Sequence, residues 1–321
     1  MLIIMRKLLI TALIAFASVS LSAQELSGTY MVAQRDTCDL YMDVYLPAPG
    51  SQTTIDGKAK PTILFVFGGG FITGSRNDKY YMPWFKLMTD DGYPVASVDY
   101  RLGLKGIEMK FDLPHIIRSA KYTKKAVDMG VEDVFAAIRY IAGHRDSVGL
   151  DPDNIVIAGS SAGAMISLSA MLESCSPTER TQILPEGFRF KGLMSFAGAV
   201  MSDSGLPKYQ SEPAPQLLFH GTEDGAVAYE KIAFGRFGFY GSSSLVRQVF
   251  SKKGYPYEIY RYVGHTHDMA ANFIATWHIQ QMFLETAVVQ GVRRTIDATI
   301  DDPTVPAWES VDRKKIYNSK K

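Results

Sequence analysis

The sequence has little cysteine, little net charge and no long basic run, and each shortage excludes a class of protein. Two cysteines among 321 residues rule out a small fold stapled by many disulfides. A formal net charge of +1 argues against binding to nucleic acid through phosphate contacts. Beyond the first 23 residues, no apolar run approaches the roughly 20 residues that span a bilayer.

The composition is that of a folded globular protein. Hydrophobic side chains make up 46% of the chain and aromatic ones 12%. This is enough apolar surface to offset the loss of chain entropy, so a disordered or low-complexity protein is excluded.

Residues 1–23 have the pattern of a secretory signal peptide. Arg6 and Lys7 give a basic start, Leu8–Leu21 is apolar, and two small residues follow. The apolar run is too short for a membrane anchor. We expect cleavage that leaves a mature chain of residues 24–321, exported to the periplasm or the cell exterior.

Export would place the two cysteines in an oxidising compartment. A disulfide between Cys38 and Cys175 and two separate buried thiols are equally compatible with the sequence, which does not give their distance. The oligomeric state is also left open.

Short apolar runs alternate with longer amphipathic ones along the mature chain. Strands are predicted at residues 40–46, 63–67, 94–98, 155–158, 193–196, 216–219 and 257–262. Helices are predicted at residues 80–90, 126–144, 162–173, 226–234, 245–252 and 268–289. This order indicates one α/β domain, with a mostly parallel sheet between helices on both faces. Loops are expected at 202–211 and 235–244, and an irregular tail from about residue 291.

Residues 159–163 read Gly-Ser-Ser-Ala-Gly between a predicted strand and a predicted helix. G-x-S-x-G in this setting is typical of a nucleophile elbow, a turn so tight that its flanking positions tolerate almost no side chain. It predicts Ser161 as a nucleophile and the amide of Ala162 as an oxyanion donor. The alternative is a helix start built of small residues that pack closely on the sheet.

Three glycines, residues 68–70, follow the predicted strand at 63–67. Their amides are unshielded by side chains, so a substrate oxygen can approach them. They predict the other half of an oxyanion hole; the alternative is a mobile turn.

An acid and a base are expected at the ends of later strands. Asp224 and Glu223 follow one strand and compete for the role of the acid, while His220 beside them is expected to be structural. His265 and His267 follow the last strand and compete for the role of the general base. No convincing third ligand accompanies the two histidines, so no metal site is predicted.

These motifs, in this order, resemble those of the α/β-hydrolase superfamily, specifically its secreted carboxylesterase and lipase-like members of the type-B or hormone-sensitive-lipase-like kind. The resemblance covers about residues 39–290. The matching stretches are residues 41–47, 67–71, 98–102, 132–140, 157–163 and 220–224.

The resemblance implies roles for particular residues. It favours Asp224 over Glu223 as the acid and His267 over His265 as the base. It assigns the oxyanion amides to Gly69, Gly70 and Ala162. In the family a histidine often precedes these glycines and holds the loop; here Phe67 stands in its place, so another contact must brace the loop.

The implied function is hydrolysis of a carboxylic ester through an acyl-enzyme, without a cofactor or metal. The substrate would be a small-molecule or glycan-linked ester, such as acetylated or feruloylated polysaccharide. A serine peptidase of the same fold and a binding protein with a relic triad are the alternatives. The aromatic segment 234–240 is expected to pack on the core or, alternatively, to line a pocket.

Overall fold

The computed structural model describes residues 25–307 except Phe111, Leu113 and Pro114. The predicted signal peptide lies outside the described residues.

A nine-stranded sheet forms the centre of the molecule, in the order β1-β2-β6-β5-β7-β8-β10-β13-β14. The strands in chain order are β1 Gly28–Gln34, β2 Asp39–Tyr45, β3 Thr54–Ile55, β4 Lys58–Ala59, β5 Thr62–Val66, β6 Val95–Val98, β7 Ile155–Ser160, β8 Gly192–Phe196, β9 Ala199–Ser202, β10 Gln216–Gly221, β11 Lys231–Phe234, β12 Phe237–Gly241, β13 Tyr257–Tyr262 and β14 Thr295–Ile300. From β6 to β14 all neighbours are parallel, whereas β2 is antiparallel to both of its neighbours. The predicted α/β class with a mostly parallel sheet is confirmed.

Helices connect the strands. They are α1 Met82–Asp90, α2 Ile116–Gly143, α3 Arg145–Val148, α4 Ala162–Cys175, α5 Ser242–Leu245, α6 Ser251–Lys253 and α7 Trp277–Phe283. Short 3₁₀ segments lie at Glu179–Ile183 and His267–Ala270, and π-helical turns at Val246–Phe250 and Leu284–Val289.

Both faces of the central strands are covered. Every residue of β5, β7, β8 and β10 is buried, although consecutive side chains point to opposite faces. α2 and α4 pack so closely that a Cβ on Gly130 would lie 2.4 Å from Cδ1 of Ile166. α1 and α7 are joined where the indole of Trp84 donates to Oε1 of Gln280 at 2.8 Å.

Residues 226–241 differ from the prediction. The helix expected at 226–234 is wrong, because β11 and β12 form a hairpin there that pairs with β9 in a second small sheet. Gly235 takes a φ of +62° at the turn, and the aromatic residues around it favour strands. Residues 237–244 of the expected 235–244 loop therefore belong to β12 and the start of α5.

The C-terminal region also departs from the prediction. The single helix expected at 268–289 is interrupted between Ala270 and Trp277. The tail expected to be irregular from about residue 291 contains β14, which adds to the edge of the sheet in parallel with β13. Alternate residues of β14 are half-buried, and Arg261 of β13 forms an ion pair with Asp297.

The two cysteines are unpaired. Cys38 is exposed and Cys175 is buried. The structure therefore has separate thiols, of which only one is buried.

Three buried tyrosines predict a loss of stability at alkaline pH. Burial raises the pKa of Tyr45, Tyr260 and Tyr262 to about 12. A tyrosine in the unfolded chain ionises near pH 10. Between these values the folded state retains protons that the unfolded state loses, so stability is fully present below pH 10 and falls as the pH rises towards 12.

We therefore expect the Tm to fall steeply from pH 10 to pH 12, and less steeply in Tyr45→Phe. Circular dichroism would follow unfolding, and ultraviolet absorbance would follow the phenolates. Ionisation of all three phenols near pH 10 without any fall in Tm would contradict the argument.

Candidate active site

Ser161 occupies a strained turn between β7 and α4. Its φ is +51° and its ψ is −113°, a conformation that residues with a side chain rarely adopt. A Cβ on Gly159 would lie 2.4 Å from the carbonyl oxygen of Gly163, and one on Gly163 would lie 2.0 Å from that of Val66. The close approach of these backbones explains why the motif has glycine on either side of the serine.

The structure brings Ser161, His267 and Asp224 into one chain of hydrogen bonds. Oγ of Ser161 lies 2.7 Å from Nε2 of His267, and Nδ1 of His267 lies 2.8 Å from Oδ2 of Asp224. Because Oδ2 belongs to a carboxylate, Nδ1 carries the ring proton, and Nε2 is left to accept from the serine hydroxyl. The arrangement can pass a proton from Ser161 to His267.

Asp224 is held as a carboxylate. Its side chain is fully buried, and its Oδ1 accepts the amides of Ala226 and Val227 at 2.8 and 2.9 Å. Burial opposes ionisation, but hydrogen bonds from His220 and His267 and the attraction of these rings outweigh it. Together they hold the pKa of the Asp224 carboxyl well below its usual range.

The two alternative residues lie apart from this chain. Glu223 is exposed, and its amide donates to the carbonyl of His265 at 2.9 Å. The ring of His265 is turned to Asp268, with Nδ1 2.6 Å from Oδ2. The chain of hydrogen bonds at Ser161 therefore contains His267 and Asp224, the base and acid that the family resemblance favours.

The glycine loop lies beside the elbow and is braced by tyrosines. The amide of Gly68 donates to the Tyr81 hydroxyl at 3.1 Å. The ring of Phe67 stacks on Tyr100 at 4.4 Å, and the Tyr100 hydroxyl donates to the Phe67 carbonyl. These contacts brace the loop, in which Phe67 occupies the position where the resembled family often has a histidine. Gly69, at φ +128°, is required because a Cβ there would lie 2.0 Å from the carbonyl oxygen of Thr73.

An apolar pocket opens at Ser161. Its volume is about 60 Å³. It is lined by residues of the glycine loop, the elbow, the start of α2, the acid loop and the hairpin, namely Gly70, Phe71, Ile116, Ser119, Ala120, Thr123, Ser161, Ala162, Met165, Ala226, Val227, Ile232, Phe234 and Phe239. Among the residues that the structure describes, no charged side chain belongs to this lining.

Two parts of this lining were not assigned to it from the sequence. The helix predicted from residue 126 begins at Ile116, and its first turns supply Ser119, Ala120 and Thr123 to the pocket wall. The sequence favours packing of segment 234–240 on the core over lining a pocket, yet Phe234 and Phe239 line the pocket. Phe239 also packs against the core cluster, so this residue serves both expectations.

Over the residues that the structure describes, no group of three His, Cys, Asp or Glu side chains is placed to hold a metal ion. In the same part of the chain, no helix is both long and apolar enough to span a membrane.

The strand order, the elbow at the end of β7 and the acid and base after β10 and β13 define the α/β-hydrolase fold. A solved esterase from the Planctomycetes species Thermogutta terrifontis, with propionate bound, shares the fold. It superposes with a TM-score of 0.56 over 82% of this chain and 95% of its own, at 20% sequence identity. The chain thus has the α/β-hydrolase fold.

Within this fold, the chain is similar to carboxylesterases. The BD-FAE family model matches residues 42–186, which include the glycine loop and the elbow but neither Asp224 nor His267. The para-nitrobenzyl esterase of Bacillus subtilis (strain 168) is 30% identical over 147 residues, which cover 46% of this chain and 27% of that protein. An acetylcholinesterase of Leptinotarsa decemlineata is 30% identical over 174 residues, covering 51% of this chain and 25% of that protein. The chain therefore spans about a quarter of the length of these curated relatives.

Proposed function

We propose that the protein is a serine carboxylesterase. The observation that carries the proposal is the unbroken chain of hydrogen bonds from Asp224 through His267 to Ser161, with the serine on a strained elbow at the mouth of a pocket. The similarity to proteins named esterases supports the same chemistry.

In the proposed mechanism, Ser161 attacks the ester carbonyl while Nε2 of His267 takes its proton. The tetrahedral intermediate collapses, and His267 returns the proton to the departing alcohol. Water then attacks the acyl-enzyme with His267 again as the base, which releases the acid and restores Ser161. Asp224 holds the imidazole in one tautomer and stabilises its charged form.

The amides of Gly69, Gly70 and Ala162 are proposed to hold the oxyanion. Gly70 and Ala162 line the pocket beside Ser161, and Ala162 is the first residue of α4, where helix amides point towards the site. The charge that develops on the substrate is met by fixed dipoles, so the chemistry needs no cofactor or metal.

The proposal is tested by hydrolysis of p-nitrophenyl acetate and by labelling with paraoxon. We expect turnover that is lost on incubation with paraoxon, and one diethyl phosphoryl group on the peptide that contains Ser161, read by mass spectrometry. One structure of the Thermogutta terrifontis esterase shows that enzyme phosphorylated by paraoxon. Turnover that survives full labelling of Ser161 would contradict the proposal.

We infer a preference for a short acyl group from the size of the pocket. A water molecule needs about 10–15 Å³ of such a cavity, so about 60 Å³ has room for a few atoms. The wall residues that the structure describes carry no charge, which favours an uncharged acyl chain.

Replacing Phe239 by alanine is expected to lengthen the preferred acyl chain. Removing the ring enlarges the pocket, so the ratio of kcat/KM for p-nitrophenyl octanoate to that for the acetate should rise about tenfold or more. Tyr240→Phe is the matched control, because Tyr240 follows on the same strand but is absent from the pocket lining. An unchanged ratio in Phe239→Ala would place the acyl group elsewhere.

The natural substrate is proposed to be an ester on a small molecule or a glycan, acted on outside the cytoplasm. Export rests on residues 1–23, and acetylated or feruloylated polysaccharide is the glycan class we put forward. Hydrolysis of peptide substrates in preference to esters would favour the serine peptidase instead. Labelling of Ser161 without turnover of any ester would favour a binding protein with a relic triad.

A further inference from the structure

His220 is a fully buried histidine at the end of β10 that touches the proposed catalytic acid. Its Nε2 lies 3.2 Å from Oδ2 of Asp224, the same oxygen that accepts from Nδ1 of His267. The carboxylate therefore lies between two imidazoles, and only one of these reaches Ser161.

The surroundings of His220 place a hydrogen on its Nε2. The carbonyl of Val227 lies 3.4 Å from Nε2, so both neighbours of this nitrogen are acceptors and Nε2 carries a hydrogen. On the other side of the ring, Oγ of Ser242 lies 2.9 Å from Nδ1 and 3.3 Å from the Gly198 carbonyl. The ring is thus held from both sides, and its Nε2 faces both the Val227 carbonyl and the Asp224 carboxylate.

The ionisable groups around His220 come from three elements. Asp224 follows it in the acid loop, and the ring of Tyr229 lies against it edge-on at 5.5 Å. Arg261 pairs with it in register on β13 and is itself paired with Asp297. His267 faces it across the Asp224 carboxylate. Among these groups, the Asp224 carboxylate lies 3.2 Å from Nε2 of His220.

We propose that His220 is a positioning residue that tunes the general base through Asp224, an inference that rests on the proposed function. The hydrogen on its Nε2 draws charge from Oδ2 across the 3.2 Å contact. Without it, Oδ2 would hold the proton on Nδ1 of His267 more strongly and favour the imidazolium. Because an imidazolium cannot accept the serine proton, the contact with His220 supports His267 as the general base.

The test compares His220→Asn with His220→Gln in the full chain. In His220→Gln the side-chain amide nitrogen would lie near the position of Nε2 and could still donate to Asp224. The side chain of asparagine is too short for this, so its amide nitrogen would remain near Ser242. The titration of His267 is followed by NMR on protein labelled with ¹⁵N-histidine. Its signal among the six histidines is assigned with His267→Gln.

We expect the titration midpoint of His267 to rise by about one pH unit in His220→Asn and to remain near the wild-type value in His220→Gln. The acid limb of kcat/KM for p-nitrophenyl acetate should move in the same direction. If His220→Asn does not fold, Ser242→Ala replaces it, because loss of the hydroxyl releases the ring and should move the midpoint upwards too.

Equal midpoints in the wild type and the folded His220→Asn protein would overturn the proposal and leave His220 a structural residue, which would lower the Tm alone. The NMR titration needs no turnover. A wild-type protein without esterase activity would therefore refute the proposed function, while the titration would still decide the role of His220.

Discussion

Replacing Ser161 by alanine is expected to lower kcat/KM for p-nitrophenyl acetate by about 10⁴- to 10⁶-fold. The change removes the oxygen that forms the acyl-enzyme and leaves only binding and oxyanion stabilisation to assist direct attack by water. The measurement is steady-state release of p-nitrophenol at high enzyme concentration. The backbone of the elbow should be retained, because alanine keeps the Cβ that already occupies this turn.

Ser160 provides the matched control. It is the adjacent serine, and its buried hydroxyl donates to the carbonyl of Ala270 at 2.7 Å. Ser160→Ala should cost about 1 kcal/mol of stability, the usual value of such a hydrogen bond, and change activity less than tenfold. Comparable rates for Ser161→Ala and the wild type would discard Ser161 as the nucleophile.

Replacing Asp224 by asparagine is expected to lower kcat about 10³- to 10⁴-fold with little change in KM. The asparagine amide can donate to Nδ1 of His267, so the ring proton would move to Nε2. A protonated Nε2 cannot accept the hydroxyl proton of Ser161. Rates measured from pH 6 to pH 9 should remain low throughout, because the defect is one of tautomer and not of protonation.

Glu223→Gln is the matched control for the acid. Glu223 is next to Asp224 in the chain but is exposed, so its loss should alter kcat less than twofold. A large loss in Glu223→Gln together with a small one in Asp224→Asn would exchange the two roles.

Much of the framework could be predicted from the sequence because its causes are local. Several of the parallel strands are short apolar runs followed by Gly or Asp, and β13 was predicted with the bounds it has. The elbow was found because a turn as tight as that at Ser161 permits only glycine at 159 and 163. Asp224 and His267 were separated from Glu223 and His265 by family pattern, since all four lie in polar loops.

The features that were missed depend on partners distant in sequence. β12 is a strand because it pairs with β9, some 40 residues earlier in the chain. β14 has the alternating burial of a strand, but it joins the sheet only by pairing with β13. His220 lies at the end of a buried strand, as many structural residues do, and only the folded loop places Asp224 against it. The secondary-structure propensity of a short segment does not reveal such contacts.

The hairpin joins the substrate pocket to the charged centre through one short stretch of backbone. Phe239 lines the pocket, and Ser242, three residues later, holds His220 against Asp224. Gly241 between them fits so closely that a Cβ there would lie 1.8 Å from the carbonyl oxygen of Ala228. An acyl group that displaces Phe239 would therefore strain the contacts that support the proposed general base. Selection among substrates by size would then act on the rate of the chemical step as well as on binding.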